Sequence, residues 1–187
     1  MTDISKARIA ILATDGFEQS ELLEPLNQLR AAGAEVKIVS LESGSIKGWN
    51  EKDWGQSVDV DLTVSDARVE DFDALVLPGG QINPDILRAD ETAVGFVRDF
   101  FNSGKIVAAI CHAPWLLIEA GVIKGRKVTS YASIRTDVQN AGGVWEDSAV
   151  VTDQGLITSR QPSDLDAFCA KIIEEVKEGR HNHRSAA

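Results

Sequence analysis

A thiol next to an imidazole supplies both a nucleophile and its base. Residues 108–117, "AAICHAPWLL", place Cys111 directly before His112. The chain has two cysteines and three histidines. His181 and His183 fall in the polar ending "EGRHNHRSAA", so His112 is the imidazole that a Cys–His mechanism in the folded body must use. Adjacent residues do not face each other on a helix, so the pair can meet only through a turn. Cys111 stands where the strand-like "KIVAAI" gives way to the helix-like "HAPWLLIEAG". A helix start offers free N–H groups and a positive dipole end, which favour thiolate. A sharp strand-to-helix turn also pushes its residue toward a ligand crevice. The competing account is a buried, inert cysteine, and position alone does not choose between the two.

Other residues join this pair by position. Glu18, in "DGFEQSEL", follows the first strand-like run, where a carboxyl group could hydrogen-bond the Cys111 thiol. The plainer account of Glu18 is an acid in the first helical turn, favoured by the dipole. Gly79 and Gly80 let the backbone approach a ligand, and their amides could form an oxyanion hole with that of His112. Cys169 differs, because Leu165, Phe168, Cys169, Ile172, Ile173 and Val176 follow the spacing of a helix core face. It reads as packing. His181 and His183, two apart in the tail, read as solvated rather than metal-binding, and no metal or cofactor is expected.

The elements that must position these groups alternate. "ARIAILA" reads as a buried strand and the leucines 22, 23, 26 and 29 as a helix stopped by Gly33, with Pro25 in its first turn or kinking it. "AEVKIVSL" completes a βαβ unit. Residues 44–65 read as hairpin-like strands at the sheet edge. "DALVLPGG" is a strand, "TAVGFVRDFFNSG" a helix capped by Gly104, and a helix is expected around 133–141. Strands "AVVT" and "GLITS" precede a final helix carrying "AKIIEEVK". This order predicts a mostly parallel sheet covered on both faces, with ligands outside the carboxyl ends of its strands. "TDGFE", "PGG" and "CHAP" all fall at such ends.

Composition bounds the rest. The 187 residues suit one domain, with an ordered core at about 7–176 and a flexible tail at 178–187. A net charge of −10 argues against broad nucleic-acid or anionic-membrane binding. No apolar run spans a bilayer, and the polar start resembles no signal peptide, so a reducing cytoplasm is the expected location. There is no GxGxxG, GxxxxGK[ST], GxSxG or HExxH, the usual marks of dinucleotide enzymes, P-loop proteins, serine hydrolases and zincins.

Five blocks in order, "DGFEQSEL", "FDALVLPGG", "NPDILR", "AAICHAPWLLIEAGVIKGRKVTSY" and "VVTDQGLITSRQPSDL", resemble the DJ-1/PfpI superfamily, in particular its PfpI branch of intracellular cysteine proteases and general stress proteins. The resemblance runs from about residue 7 to about 176. It implies a flavodoxin-like α/β sandwich of the class I glutamine amidotransferase-like kind, with a nucleophile elbow. It also implies homodimers, or hexamers built from them. Carried over by position, Cys111 is the nucleophile and Glu18 the acid that hydrogen-bonds it. His112 is the neighbouring histidine, and Gly80 and the His112 amide are the oxyanion donors. Asp85 is an acid that reaches the histidine of a neighbouring subunit. Two departures stand out: Ala113 replaces the usual glycine and is expected to narrow the elbow, and "GGQINPDILR" is one residue longer than usual before Pro84.

The implied function is that of a cytoplasmic stress-response enzyme with a covalent Cys111 intermediate. Its substrate is a small carbonyl compound or a peptide, and its activity that of a deglycase, glyoxalase or peptidase. The alternative is a redox-responsive stress protein in which Cys111 is oxidised to sulfenic or sulfinic acid.

Overall fold

The computed structural model describes residues 3–181. A short 3-10 turn (Ile4–Lys6) leads into β1 (Arg8–Leu12) and the short β2 (Phe17–Glu18), followed by α1 (Gln19–Ala31) and β3 (Glu35–Ser40). A hairpin of β4 (Ser45–Asn50) and β5 (Asp53–Asp59) precedes β6 (Leu62–Thr63) and β7 (Ala74–Leu77). Next come α2 (Ile82–Arg88), α3 (Glu91–Asn102), β8 (Ile106–Ile110) and α4 (Pro114–Glu119). The last part holds β9 (Lys127–Val128), α5 (Arg135–Asn140), β10 (Val144–Trp145), β11 (Val150–Asp153), β12 (Leu156–Ser159) and α6 (Leu165–Glu178).

Seven of these strands form the central sheet in the order β11-β12-β8-β7-β1-β3-β6, all parallel except β11. Apart from the exposed Arg8 that opens β1, its middle strands are apolar, as burial on both faces requires. The two-residue period of a strand then splits them. Ala10, Leu12, Leu75, Leu77, Val107 and Ala109 join Phe96, Phe100 and Leu116 of α3 and α4 in one core. Ile9, Ile11, Val76, Ala108 and Ile110 join Leu22, Leu29, Phe168 and Ile172 of α1 and α6 in the other. A fully buried Leu, Ile or Phe contributes about 1.5–3 kcal/mol, so the two cores hold the sheet as a stiff platform. This is a flavodoxin-like α/β fold.

One local expectation changes and two others are sharpened. Pro25 lies inside α1, beyond its first turn. The 44–65 hairpin does not extend the central sheet; it pairs with β2 in a separate three-stranded sheet, and only β6 reaches the edge of the main one. Tertiary contacts set this docking: the Gly16 N–H donates to the Lys47 carbonyl (2.8 Å), and Gly48 lets β4 lie on the Phe17 ring, where a Cβ would come within 2.9 Å of Cε2. At the other end, α6 continues to Glu178, and His181 donates its N–H to the Gly104 carbonyl (2.8 Å). The rest of the expected tail lies outside the described residues. No helix among the described residues is long and apolar enough to cross a membrane.

Candidate functional site

At the carboxyl end of β8 the backbone turns sharply, and Cys111 carries it with φ +64°. A left-handed conformation costs a non-glycine residue about 1–3 kcal/mol and persists only where its surroundings enforce it. Here the Cys111 N–H donates to the Ser159 carbonyl (3.1 Å) and the Cys111 carbonyl accepts from Tyr131 N–H (2.8 Å). The elbow is thus held by β12 on one side and by the segment after β9 on the other. Ala113 follows with φ −58° and ψ −26°, a helical conformation that needs no glycine. Ala113 is fully buried in the core shared with α3 and α4 and does not line the cleft.

The turn brings the two neighbours together: Cys111 Sγ lies 3.1 Å from His112 Nδ1. His112 Nε2 lies 3.2 Å from Ser133 Oγ. The ring is stacked on Tyr131 (centroids 5.0 Å apart) and meets the edge of Trp115 (5.1 Å). Burial holds the His112 pKa below its ordinary value, so the imidazole is neutral at neutral pH. The Gly80 and His112 amides donate toward Cys111 Sγ. Gly80 is irreplaceable in this geometry: it has φ +82°, and a Cβ there would come within 2.6 Å of the Gly16 carbonyl oxygen and 2.8 Å of the Glu18 nitrogen.

The carboxyl beside the thiol is Glu21, where the family resemblance implied Glu18. One turn into α1, Glu21 is fully buried, accepts the Gly79 N–H at 2.8 Å through Oε2 and meets the Cys111 thiol. Among the described residues its Oε1 finds no hydrogen-bond partner. Burial, and then the nearby Glu18 carboxylate, push its pKa up to about 8, so Glu21 holds its own proton at neutral pH. Glu18 stands instead at the N-cap of α1, half-buried in the cleft wall. Its pKa is raised by burial and by the Glu51 charge, against a hydrogen bond with Ser20. The physical reason is helical phase: Glu21, Pro25 and Leu29 are buried at successive i+4 positions, whereas Glu18 precedes the helix.

The thiol is also not held as a resting thiolate. Cys111 is 6% exposed, and burial, followed by the charge Glu21 carries once it ionises, raises its pKa, against the pull of the Gly80 and His112 amides. The short α4 behind it does not reverse that balance.

Around Sγ opens a cleft of about 530 Å³ lined by Glu18, Glu21, Gly80, Ile82, Tyr131 and, from the hairpin, Trp49 and Glu51. Asp85 is not in it. It lies on α2, more than half exposed, accepting from Arg88 Nε (2.9 Å) and Nη2 (2.6 Å). The longer segment before Pro84 has its own structural use. Buried Asn83 accepts the Thr14 N–H (2.8 Å) and donates to the Pro78 (2.9 Å) and Gly79 (3.1 Å) carbonyls, tying the β7 turn to the β1 turn. The cleft therefore gathers Cys111, His112, Glu18 and Gly80. Glu21, Tyr131, Trp49 and Glu51 join them in the lining, and Ser133 touches His112 from outside it, none of these having been singled out in the sequence.

A doubly covered, mostly parallel sheet with a strained cysteine at the tip of a middle strand, ringed by amides, an imidazole and a protonated carboxyl, defines an α/β protein of the nucleophile-elbow kind. Residues 7–175 match the DJ-1/PfpI family, and the chain belongs to it. The chain is 48% identical over 163 residues to protein/nucleic acid deglycase 2 of Escherichia coli, covering 86% of this chain and 92% of that one. It is 46% identical over 170 residues to deglycase PfpI of Pyrococcus furiosus, covering 91% and 99%. The crystal structure of Drosophila melanogaster DJ-1beta superposes with a TM-score of 0.82 at 29% identity, over 92% of this chain and 95% of that one.

Proposed function

We propose that the protein is a cysteine-dependent enzyme of carbonyl-damage defence, acting through Cys111 on small dicarbonyls or their adducts as a deglycase or glyoxalase. The observation that carries the proposal is the geometry at Sγ: an imidazole nitrogen at 3.1 Å and two amides pointing at the sulfur on an enforced positive-φ turn. In the first step the thiol proton passes to His112 Nδ1 and the sulfur electron pair forms an S–C bond to the carbonyl carbon. The π pair moves onto oxygen, where the Gly80 and His112 amides receive it. The neutral Glu21 carboxyl supports the sulfur without adding a negative charge. The imidazolium then returns its proton to that oxygen, leaving a neutral hemithioacetal on Cys111.

The cleft wall favours amine-bearing substrates. Glu18 and Glu51 stand close enough for one charge to raise the other's pKa, and Trp49 lies beside them. Such a wall attracts lysine or arginine adducts and disfavours anions. Relatives named as deglycases support the same reaction class. The test is a parallel assay of methylglyoxal, a glycated peptide and a fluorogenic peptide with wild type and Cys111→Ser. Loss of dicarbonyl or adduct turnover only in the variant supports the proposal; equal turnover by both proteins removes it.

A second reading, a redox-responsive protein, is favoured by one observation: a neutral Glu21 beside amide donors is suited to hold a sulfinate. Mild peroxide should then add two oxygens at Cys111; oxidation of Cys169 first would count against it.

A further inference from the structure

His112 has a hydrogen-bond partner on both ring nitrogens within one chain, and the second partner has no place in the chemistry above. We propose that Ser133 is a positioning residue for the Cys111–His112 pair: its hydroxyl oxygen accepts the Nε2–H and thereby leaves Nδ1 free of a proton where it faces the thiol.

The argument begins with the imidazole. A neutral ring carries one proton, on either nitrogen, and the hydrogen bond made by one nitrogen selects the state of the other. To take the thiol proton, Nδ1 must present its lone pair, so the ring proton must sit on Nε2. Ser133 Oγ, 3.2 Å from Nε2, is a hydroxyl oxygen and can accept it. After transfer the ring carries both protons, and Nε2–H continues to donate to the same oxygen, so the contact serves the resting and the charged state.

The placement is built rather than incidental. Ser133 belongs to a short 3-10 turn, Ala132–Ile134, anchored by the Ile134 N–H donating to the Tyr131 carbonyl (3.1 Å). Tyr131 is in turn bonded through its N–H to the Cys111 carbonyl (2.8 Å) and stacks on the imidazole with 24° between the planes. One segment thus fixes the plane of the ring, its partner and the elbow itself. The line Sγ–imidazole–Oγ closes within a single chain, without the acid of a second copy.

The kinetic part of this proposal rests on the cysteine chemistry above; the tautomer part does not. The experiment uses the full chain labelled with 15N-histidine, the His112 signals being assigned by their loss in His112→Asn. Long-range 1H–15N correlation reads which ring nitrogen is protonated in wild type, Ser133→Ala and Ser133→Thr, and kcat and KM for methylglyoxal are measured alongside. Wild type should carry the proton on Nε2. Ser133→Ala should mix the tautomers and lower kcat by about fivefold to tenfold, as befits a single neutral hydrogen bond, with little change in KM. Ser133→Thr, which keeps the hydroxyl, should restore both. A proton on Nδ1 in wild type overturns the proposal. So does a Ser133→Ala protein with unchanged tautomer, or a Ser133→Thr protein that behaves like Ser133→Ala. Should methylglyoxal not be turned over by any of these proteins, the tautomer spectra still decide the role of Ser133, and only the cysteine chemistry is lost.

Discussion

Two buried thiols occupy opposite kinds of site in this molecule. Cys169 sits in the middle of α6, fully buried, with its pKa pushed up to about 12 by burial and by the charges of Glu24 and Asp166. Cys111 is almost as buried, and its pKa is raised as well. Burial and resting ionisation therefore do not separate a reactive cysteine from a packing one here. Conformation and neighbours do. Cys111 has a left-handed backbone, an imidazole nitrogen at 3.1 Å, converging amides and an opening into a cleft. Cys169 has regular helix and a core. At Cys111 the thiol is activated when its proton moves, by groups already in place, rather than by being stored as an anion.

The largest expected effect tests that contrast directly. Cys111→Ser should lower dicarbonyl turnover by at least about 10³-fold, since hydroxyl does not replace thiol as the nucleophile. Cys169→Ala should keep wild-type turnover and cost about 1–2 kcal/mol in urea denaturation, the loss of a small core group. Reversed results would show that the strained turn is structural only.

Next in size is Gly80→Ala. The substitution forces a side chain into φ +82° and against the Gly16 and Glu18 backbone, so the donor at the sulfur must move. A displacement on the order of 1 Å at a reacting centre costs about 10²-fold in rate. Turnover should fall by about that factor with the fold retained by circular dichroism. Near-wild-type rates would remove Gly80 from the oxyanion site.

Glu21 tests the comparison through pH. Its folded pKa of about 8 lies above the ordinary value of 4.5, so between those values the folded chain keeps a proton that the unfolded chain has lost. Stability from this group is therefore full below about 4.5 and declines as pH rises to about 8, by up to about 1.4 kcal/mol per pH unit. His112, with its pKa lowered by burial, acts with the opposite sign below its ordinary 6.5. Glu21→Gln removes only the first effect. Urea midpoints measured from pH 5 to 9 should fall less steeply in Glu21→Gln than in wild type. Parallel curves would mean that Glu21 is ionised in the fold. Wild-type turnover should also fall above about pH 8, where Glu21 becomes an anion beside the sulfur.

How much of this was legible in the sequence follows from the range of each signal. The elbow was legible because a strand-like run, a Cys-His pair and a helix-like run are contiguous. Both faces of the sheet followed from local patterns too. Choosing between Glu18 and Glu21 needed the phase of α1. The one clue was that Glu21 shares an i, i+4 stripe with Pro25 and Leu29, so that a carboxyl stands where an apolar group is expected. Trp49 and Glu51 reach the cleft through a hairpin, and Ser133 reaches His112 through a turn; the docking of both depends on tertiary contacts, and no short-range pattern marks them.

The smallest expected effect concerns Asp85, which links the single chain to its assembly. Its carboxyl is more than half exposed and held by Arg88, whose guanidinium also lies 4.2 Å from the Trp115 ring centroid. A surface pair of this kind contributes less than about 1 kcal/mol, so Asp85→Asn should lower Tm by no more than about 2–4 °C. In one chain the two nitrogens of His112 already face Cys111 and Ser133, so a neighbouring copy's carboxylate would have to displace or share the Ser133 contact. Asp85→Asn should therefore lower turnover per protomer less than Ser133→Ala does. The decisive measurement follows both variants across a dilution series with the oligomeric state read by gel filtration. If activity is lost with Asp85→Asn only where larger oligomers persist, the imidazole is oriented from the neighbouring copy and the contact within one chain is secondary. If the loss follows Ser133→Ala at every concentration, the pair is complete in a single chain.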